Sequence, residues 1–481
     1  MADTLKQKTF WGMIWVFTEK FSIQIFVFIQ GIILARLLTP ADFGLVAMVG
    51  IFNSLSRVLI DSGFSTALIR KKAPEDIDFS TVFNVNILIS FSLCLILCFC
   101  SSLIANFYNE PILAQIVTLN SIQIFLNSFL SIYWVKMTVK LQFKKLSFMS
   151  VCSSVLTGIL SIVLAYLGFG VWSLIYPGFF TILISALFYW HFLHWYPGHR
   201  FSKNVFKELF SFGSNILFSS LLSVLFDNIY SIVIGKKYSK QSLGYYSRGA
   251  SFANLPSTTI TGVLTSVTFP VLSKVQENAE RLESVYRNLI RLSAFIVFPV
   301  MLGVASLARP FIICLVTEKW EQSVIYMQLL CFAMMLFPIH ALNVNLLKVK
   351  GRSDLYLRIE IIKKILILVV LIFTIPFGII YMCLGQVFTS FLCLFINTYY
   401  TGKLLNLKFI LQMKDLLPVF LLSISMGAIV YAITSVIGPN IIKLILGIII
   451  GISYYFGVAY ILKMKELLYV KSLIVDNLLK K

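Results

Sequence analysis

Apolar residues fill the chain in blocks of about 20, separated by short polar connections. A helix rises about 1.5 Å per residue, so each block is long enough to cross a hydrocarbon core roughly 30 Å thick. The blocks do not alternate polar with apolar over strands of about ten residues, which excludes a transmembrane barrel. In lipid a backbone must satisfy its own hydrogen bonds, so runs of this kind predict helices. The pattern places fourteen spans, at approximately 10–35, 43–69, 81–107, 112–135, 146–167, 170–192, 210–235, 243–272, 288–308, 322–347, 359–378, 381–402, 415–437 and 440–462. The predicted class is an all-α polytopic membrane protein. Pro177, Pro256, Pro270, Pro299 and Pro338 fall inside spans, where each removes a backbone hydrogen bond and marks a gate hinge or a packing kink.

Composition agrees with this class. Of 481 residues, 59% are hydrophobic and 12% charged, whereas soluble domains carry about a quarter charged residues. The net charge of +20 raises the question of nucleic acid, but the basic residues sit in the connections between spans and not on one folded face. Thirty of the 40 Lys and Arg fall in alternate connections, among them Lys71, Lys136, Lys207, Arg287, Lys350 and the tail from Lys463. Eight fall in the opposite set: Arg36, Lys236, Lys237, Lys240, Arg248, Arg309, Lys319 and Lys443. This bias predicts an even number of spans with both termini in the cytoplasm. MADTLKQKTF leads straight into an apolar run with no small-residue cleavage site, which predicts an uncleaved first span. The eight cysteines lie within spans without metal-ligand spacing and read as small apolar packing residues.

An internal repeat organises the chain. Residues 31–49, GIILARLLTPADFGLVAMV, precede 231–249, SIVIGKKYSKQSLGYYSRG, by 200 positions. In each, an apolar helix ends on a basic residue, a polar turn follows, and a glycine (Gly44, Gly244) opens the next helix. SLIANF at 102–107 and SLARPF at 306–311 repeat at nearly the same offset. The predicted architecture is a six-helix lobe at 1–205, a second at 206–410, and two further helices with a tail at 411–481. Paired helical repeats are the architecture of alternating-access transporters.

No phosphate-cradling glycine loop followed by Lys and Ser/Thr is present, and no connection is long enough to house a catalytic domain. Enzyme chemistry is therefore not expected. The informative residues are charges inside spans, which are costly there and face a cavity or a partner. Span one carries Glu19 and Lys20, the latter about 15 Å along the helix from Phe10. Span two carries Arg57 and Asp61, four apart and so on one face; span seven carries Asp227, and Arg248 opens span eight. Arg57 and Asp61 admit two readings: they neutralise one another and hold helices in register, or they belong to a basic lining for an anionic substrate. His191, His194 and His199 lie among Trp190, Trp195 and Tyr196, an interfacial aromatic belt more than a metal site. His340, beside Pro338, reads as a helix–helix contact.

With those residues in view, the chain resembles Wzx-type polysaccharide exporters, the lipid-linked oligosaccharide flippases of the multidrug/oligosaccharidyl-lipid/polysaccharide superfamily. The likeness covers nearly the whole length and rests on ARLLTPADFGLVA (35–47), DSGFSTALIRK (61–71), FGVWSL (169–174), SLGYYSRG (242–249), FPVLSKVQEN (269–278) and LLKVKGRSD (346–354). The resemblance implies two pseudosymmetric lobes around a central cavity, commonly with fourteen spans. It implies transfer of undecaprenyl-diphosphate-linked oligosaccharide across the bacterial cytoplasmic (inner) membrane for O-antigen, capsule or exopolysaccharide, with no cofactor. By position, Lys20, Arg57 and Arg248 become candidates for the diphosphate. Glu19, Asp61 and Asp227 become candidates for tuning that charge or for carrying a coupling ion, H+ or Na+; a polysaccharide polymerase is a candidate partner. A multidrug exporter of the same superfamily is the rival and would need a net negative, aromatic cavity. A membrane polymerase or ligase would need a long periplasmic loop, which the chain lacks.

Overall fold

The computed structural model describes residues 2–468 except 62, 72, 73, 199, 200, 406 and 408. His199, Lys72, Arg200, Lys408, Lys471, Lys480 and Lys481 therefore lie outside the described residues. The chain divides into two compact units, Met1–Gly244 and Tyr245–Lys481. The first holds α1 (Ala2–Leu37), α2 (Pro40–Asp61), α3 (Phe64–Arg70), α4 (Asp76–Tyr108), α5 (Ile112–Val139), α6 (Phe143–Tyr166), α7 (Trp172–Ile175), α8 (Pro177–Leu193) and α9 (Lys203–Lys237). The unit boundary falls inside α10 (Lys240–Lys274). The second unit continues with α11 (Ala279–Ser306), α12 (Ala308–Val316), α13 (Ser323–Met334), α14 (Phe337–Val349), α15 (Ser353–Thr374), α16 (Ile379–Leu405), α17 (Phe409–Val436) and α18 (Asn440–Ile461).

Among the described residues, thirteen helical stretches are long and apolar enough to cross a membrane. The eleventh predicted span forms as α15 but carries Glu360, Lys363 and Lys364 and is not one of the thirteen. Glu360 and Lys363 offset their own charges by pairing at 2.7 Å. Large apolar side chains stand exposed along the helices, for example Phe99, Tyr166, Phe373 and Val436. On a soluble protein such a surface would aggregate; here it is the face that lipid covers. The chain is thus a multi-pass membrane protein.

The repeat is a helix-start device. Thr39 caps α2: its hydroxyl donates to Asp42 Oδ2 at 2.6 Å, and the Asp42 N–H donates back to Thr39 Oγ1 at 3.3 Å. Pro40 takes the first helical position, where no N–H is missed. At α10, the Ser242 N–H donates to Ser239 Oγ at 3.1 Å, two hundred positions on. The paired glycines then let the two helix starts cross. A Cβ on Gly44 would lie 1.7 Å from the Lys240 carbonyl oxygen, and one on Gly244 would lie 1.8 Å from that of Pro40. The second correspondence is less uniform. Residues 102–107 finish α4, whereas α11 stops at Ser306 and α12 begins at Ala308, because Pro310 offers no N–H to continue the first helix.

Two of the five span prolines sit at real breaks. Pro177 starts α8 and Pro338 lies at the start of α14, while Pro256, Pro270 and Pro299 lie within continuous helices. A proline frees the carbonyl four residues back. Ser161 Oγ donates to the carbonyl of Ser173 at 2.7 Å, and Ser257 Oγ donates to that of Met334 at 2.7 Å. Gln123 Nε2 takes the carbonyl of Ile175, also at 2.7 Å.

The first unit has two chemically distinct ends. At one, Lys71 meets Asp78 at 2.8 Å, and Lys136 meets Asp76 while lying 3.8 Å from the ring centre of Trp195. The hydrogen bond that Lys71 donates to Asp78 raises the pKa of its ammonium above the ordinary value. At the other, Lys240 pairs with Glu110 at 2.7 Å, and Lys236 donates to the carbonyl of Phe107. The majority-basic connections therefore share one end, as alternation predicts. In the second unit, Leu282, Tyr286 and Ile290 bury one face of α11, while Arg287 and Arg291 clasp Asp415 of α17.

Two outcomes are expected. Gly44→Ala or Gly244→Ala forces backbone apart and costs about 1–3 kcal/mol or more, read as loss of the monodisperse peak in size-exclusion chromatography. Gly50→Ala, which meets open space, leaves that peak intact. Asp415→Ala strands two guanidinium groups and lowers stability by about 2–4 kcal/mol in thermal unfolding. Glu283→Ala, whose contact with Arg287 is long at 3.8 Å, changes it by less than about 0.5 kcal/mol.

Candidate functional site

Polar residues recur at helical spacing on three elements of the first unit. On α5 these are Asn120, Gln123, Asn127 and Ser131; on α2, Asn53, Arg57 and Asp61; on α8, Gly178 and Thr181. Residues three and four apart share a helix face, so each element presents one polar stripe. The stripes converge, with Asn86 of α4, on a cavity of about 340 Å³ whose apolar walls are Ile60, Ile124 and Ile182. Gly178 makes the room: a Cβ there would lie 2.6 Å from Gln123 Oε1.

Most of the rim is fixed. Asn120 Nδ2 donates to Asn53 Oδ1 at 2.6 Å, tying α5 to α2. Gln123 is held by the carbonyl of Ile175, the last residue of α7, and Ser128 accepts from Ser90 at 2.7 Å. Asn86 Nδ2 donates to Ser131 Oγ at 3.4 Å, while other groups have no such tie among the described residues. Arg57 and Asp61 both line the cavity, yet among the described residues they form no ion pair with one another. The register-holding reading of this pair is therefore not what the structure contains. Asn86 is only 2% exposed, and its Oδ1 has no hydrogen-bond partner.

The other candidates lie elsewhere. Glu19 accepts from Ser147 of α6 at 2.8 Å, and Lys20 beside it is exposed. Asp227 is exposed on α9. Arg248, in the second unit, lies 5.3 Å from the ring centre of Phe252 and 5.7 Å from that of Trp320. Arg57 and Asp61 line one cavity together. A second polar cavity, about 370 Å³, adjoins the first through Thr181 and is lined by Gln30, Ser150, Ser154, Thr157, Ser185 and Tyr189. His340 is half-buried in the second unit, its Nδ1 3.1 Å from Asn397 Nδ2 and its Nε2 3.4 Å from Ser390 Oγ. It joins α14 to α16. The three α5 amides that line the first cavity, Asn120, Gln123 and Asn127, escape a search for charge, although their three-and-four spacing is readable in the sequence.

Long helices, proline-broken spans and polar cavities within apolar bundles define a membrane transporter fold. Comparison with solved structures agrees. The lipid II flippase MurJ in an inward closed conformation superposes with a TM-score of 0.74 at 17% identity, over 94% of this chain and 98% of that one. A multidrug resistance MATE family transporter in an inward-facing conformation gives 0.58 at 16% identity, over 79% and 95%. At these identities the likeness concerns fold. Residues 33–325 match the family described as polysaccharide biosynthesis protein, and the chain belongs to that family. Teichuronic acid biosynthesis protein TuaB of Bacillus subtilis (strain 168) is 26% identical over 72% of each chain. Lipopolysaccharide biosynthesis protein WzxC of Escherichia coli (strain K12) is 24% identical over 76% of this chain and 74% of its own.

The cavity is expected to admit water, and labelling tests this. In a cysteine-free background, Asn127→Cys is expected to react with a membrane-impermeant thiol reagent roughly 10-fold faster than Leu88→Cys, which stands among exposed apolar residues of α4. Equal rates would mean that the cavity is closed to water.

Proposed function

We propose that the protein is a flippase for undecaprenyl-diphosphate-linked oligosaccharide repeat units, working in a bacterial cytoplasmic membrane with both termini in the cytoplasm. The observation that carries the reading is Arg57, a cation without an ion-pair partner among the described residues, at the edge of an amide-lined cavity inside an apolar bundle. A diphosphate cannot shed its water into hydrocarbon at tolerable cost, so a carrier must replace that water with donors. Arg57 supplies a forked donor, which suits phosphate geometry. Lys20 on α1 and Arg248 near Trp320 are further diphosphate ligands in this proposal. The polyprenyl tail stays in lipid while the head group crosses.

No bond is made or broken in this step, so direction must come from outside the substrate. A proton or Na+ gradient acting through Glu19, Asp61 or Asp227 would supply it, and a polysaccharide polymerase that consumes the product would add to it. The division into lobes at 1–205 and 206–410, followed by two added helices, remains a proposal about how the repeat arose.

The test is a deletion strain complemented with wild type, Lys20→Ala, Arg57→Ala or Arg248→Ala. Deletion is expected to abolish the cell-surface polysaccharide and to let lipid-linked repeat units accumulate. Arg57→Ala, expressed at wild-type level, is expected to restore less than about a tenth of it, as loss of a charge-assisted hydrogen bond of about 1.5–3 kcal/mol implies. Unchanged polysaccharide with raised drug sensitivity would replace this reading with multidrug export.

A further inference from the structure

We infer that the cavity of the first unit is a saccharide subsite, holding the sugar next to the diphosphate while Arg57 at its edge meets the phosphate. The inference rests on the flippase reading and adds what that site recognises. The argument turns on acceptors. A diphosphate offers only acceptor oxygens, so it has no use for a carboxylate or a bare amide carbonyl. The cavity presents both: Asp61 forms no ion pair among the described residues, and the buried Oδ1 of Asn86 lacks a donor. A buried carbonyl left in that state costs about 1–3 kcal/mol. Sugar hydroxyls are the donors that both groups lack.

The rest of the lining fits the same ligand. Asn127 makes no hydrogen bond to any described residue and can give and accept one each, as a hydroxyl can. Ile60, Ile124 and Ile182 offer apolar faces to the C–H side of a pyranose ring. The volume, about 340 Å³, lies in the range of small-ligand pockets, roughly 300–1,000 Å³. Charge excludes the competitors. Arg57 beside Asp61 leaves the lining without net charge, which disfavours a bare metal cation and an amphipathic cationic drug. No aromatic side chain lines the cavity, and a drug site would need one.

The test uses the full-length protein in lipid nanodiscs and two probes: undecaprenyl diphosphate, and lipid-linked repeat units extracted from the deletion strain. Wild type is expected to bind the glycosylated lipid at least about 10-fold tighter, the worth of one or two hydrogen bonds. In Asn127→Leu and Asn86→Leu the ratio of the two affinities is expected to fall to near one. Asn127 is exposed, so its variant reports even where Asn86→Leu does not fold. If wild type binds both probes equally, the saccharide subsite falls and the flippase stands. Variants that weaken both probes in the same proportion also overturn the subsite. Binding of neither probe by wild type overturns the flippase reading, and this inference with it.

Discussion

The break at Pro177 is the constraint on which the polar interior of the first unit depends. A proline in a membrane helix leaves carbonyl groups without donors, and lipid offers none. Ser161 and Gln123 supply them, each at 2.7 Å. Gln123 thereby ties α5 to the end of α7 and lines the cavity, where Gly178 of α8 leaves space for it. The polar stripe of α5 follows, since a helix fixed by Gln123 must also direct Asn120 and Asn127 inward. A replacement of Pro177 by an ordinary helix former would give the Ser173 carbonyl a backbone donor and remove the need for Ser161. The second unit solves the same problem at Pro338 with Ser257.

Such a cavity is costly to keep. Each amide or charge withdrawn from water and left unpaired subtracts free energy from a fold with little to spare. The unit compensates where it can. Asn120 is satisfied by Asn53, Ser128 by Ser90, and Glu19 by Ser147. Among the described residues Arg57, Asp61, Asn127 and the Oδ1 of Asn86 are what remains uncompensated, and they gather at one place. Structural polar groups in a membrane bundle pair across helices; a residue of unpaired ones facing a cavity marks where something else is to bind.

Much of the fold was legible in the sequence because lipid leaves few choices. Apolar blocks of the right length had to be helices, and alternation of charge assigned their ends, as the gathering of Lys71 and Lys136 at one end of the first unit and Lys236 and Lys240 at the other bears out. Gly44 and Gly244 were legible as a repeat, although their purpose, a crossing too close for any Cβ, needed three dimensions. Helix breaks were half legible. Proline shows where a hydrogen bond is lost, but only a neighbour such as Ser161 or Ser257 decides whether the helix stops there. The site was the least legible part. Charges attract attention in an apolar sequence, and so Arg57 and Asp61 were visible. Their failure to pair was not, because four-residue spacing permits a contact without requiring one. Asn120, Gln123 and Asn127 carry no charge to stand out, and only their shared face reveals them.

A translocator also has to release what it binds, and this bears on why Asp61 lies beside Arg57. A cavity with several unopposed cations would hold a diphosphate too well, since affinity gained in the loaded state must be surrendered at the exit. Conduction through a pore meets the same demand: binding strong enough to enter and weak enough to leave. A single cation moderated by a nearby carboxylate lowers the depth of the electrostatic well without removing it. Neutral amides then supply selectivity through hydrogen bonds whose net worth is small, about 1 kcal/mol each. Several weak, directional contacts discriminate between head groups while leaving none that a change of conformation could not break. The lining of the first unit, one charge of each sign among Asn and Gln, has the composition that this compromise requires.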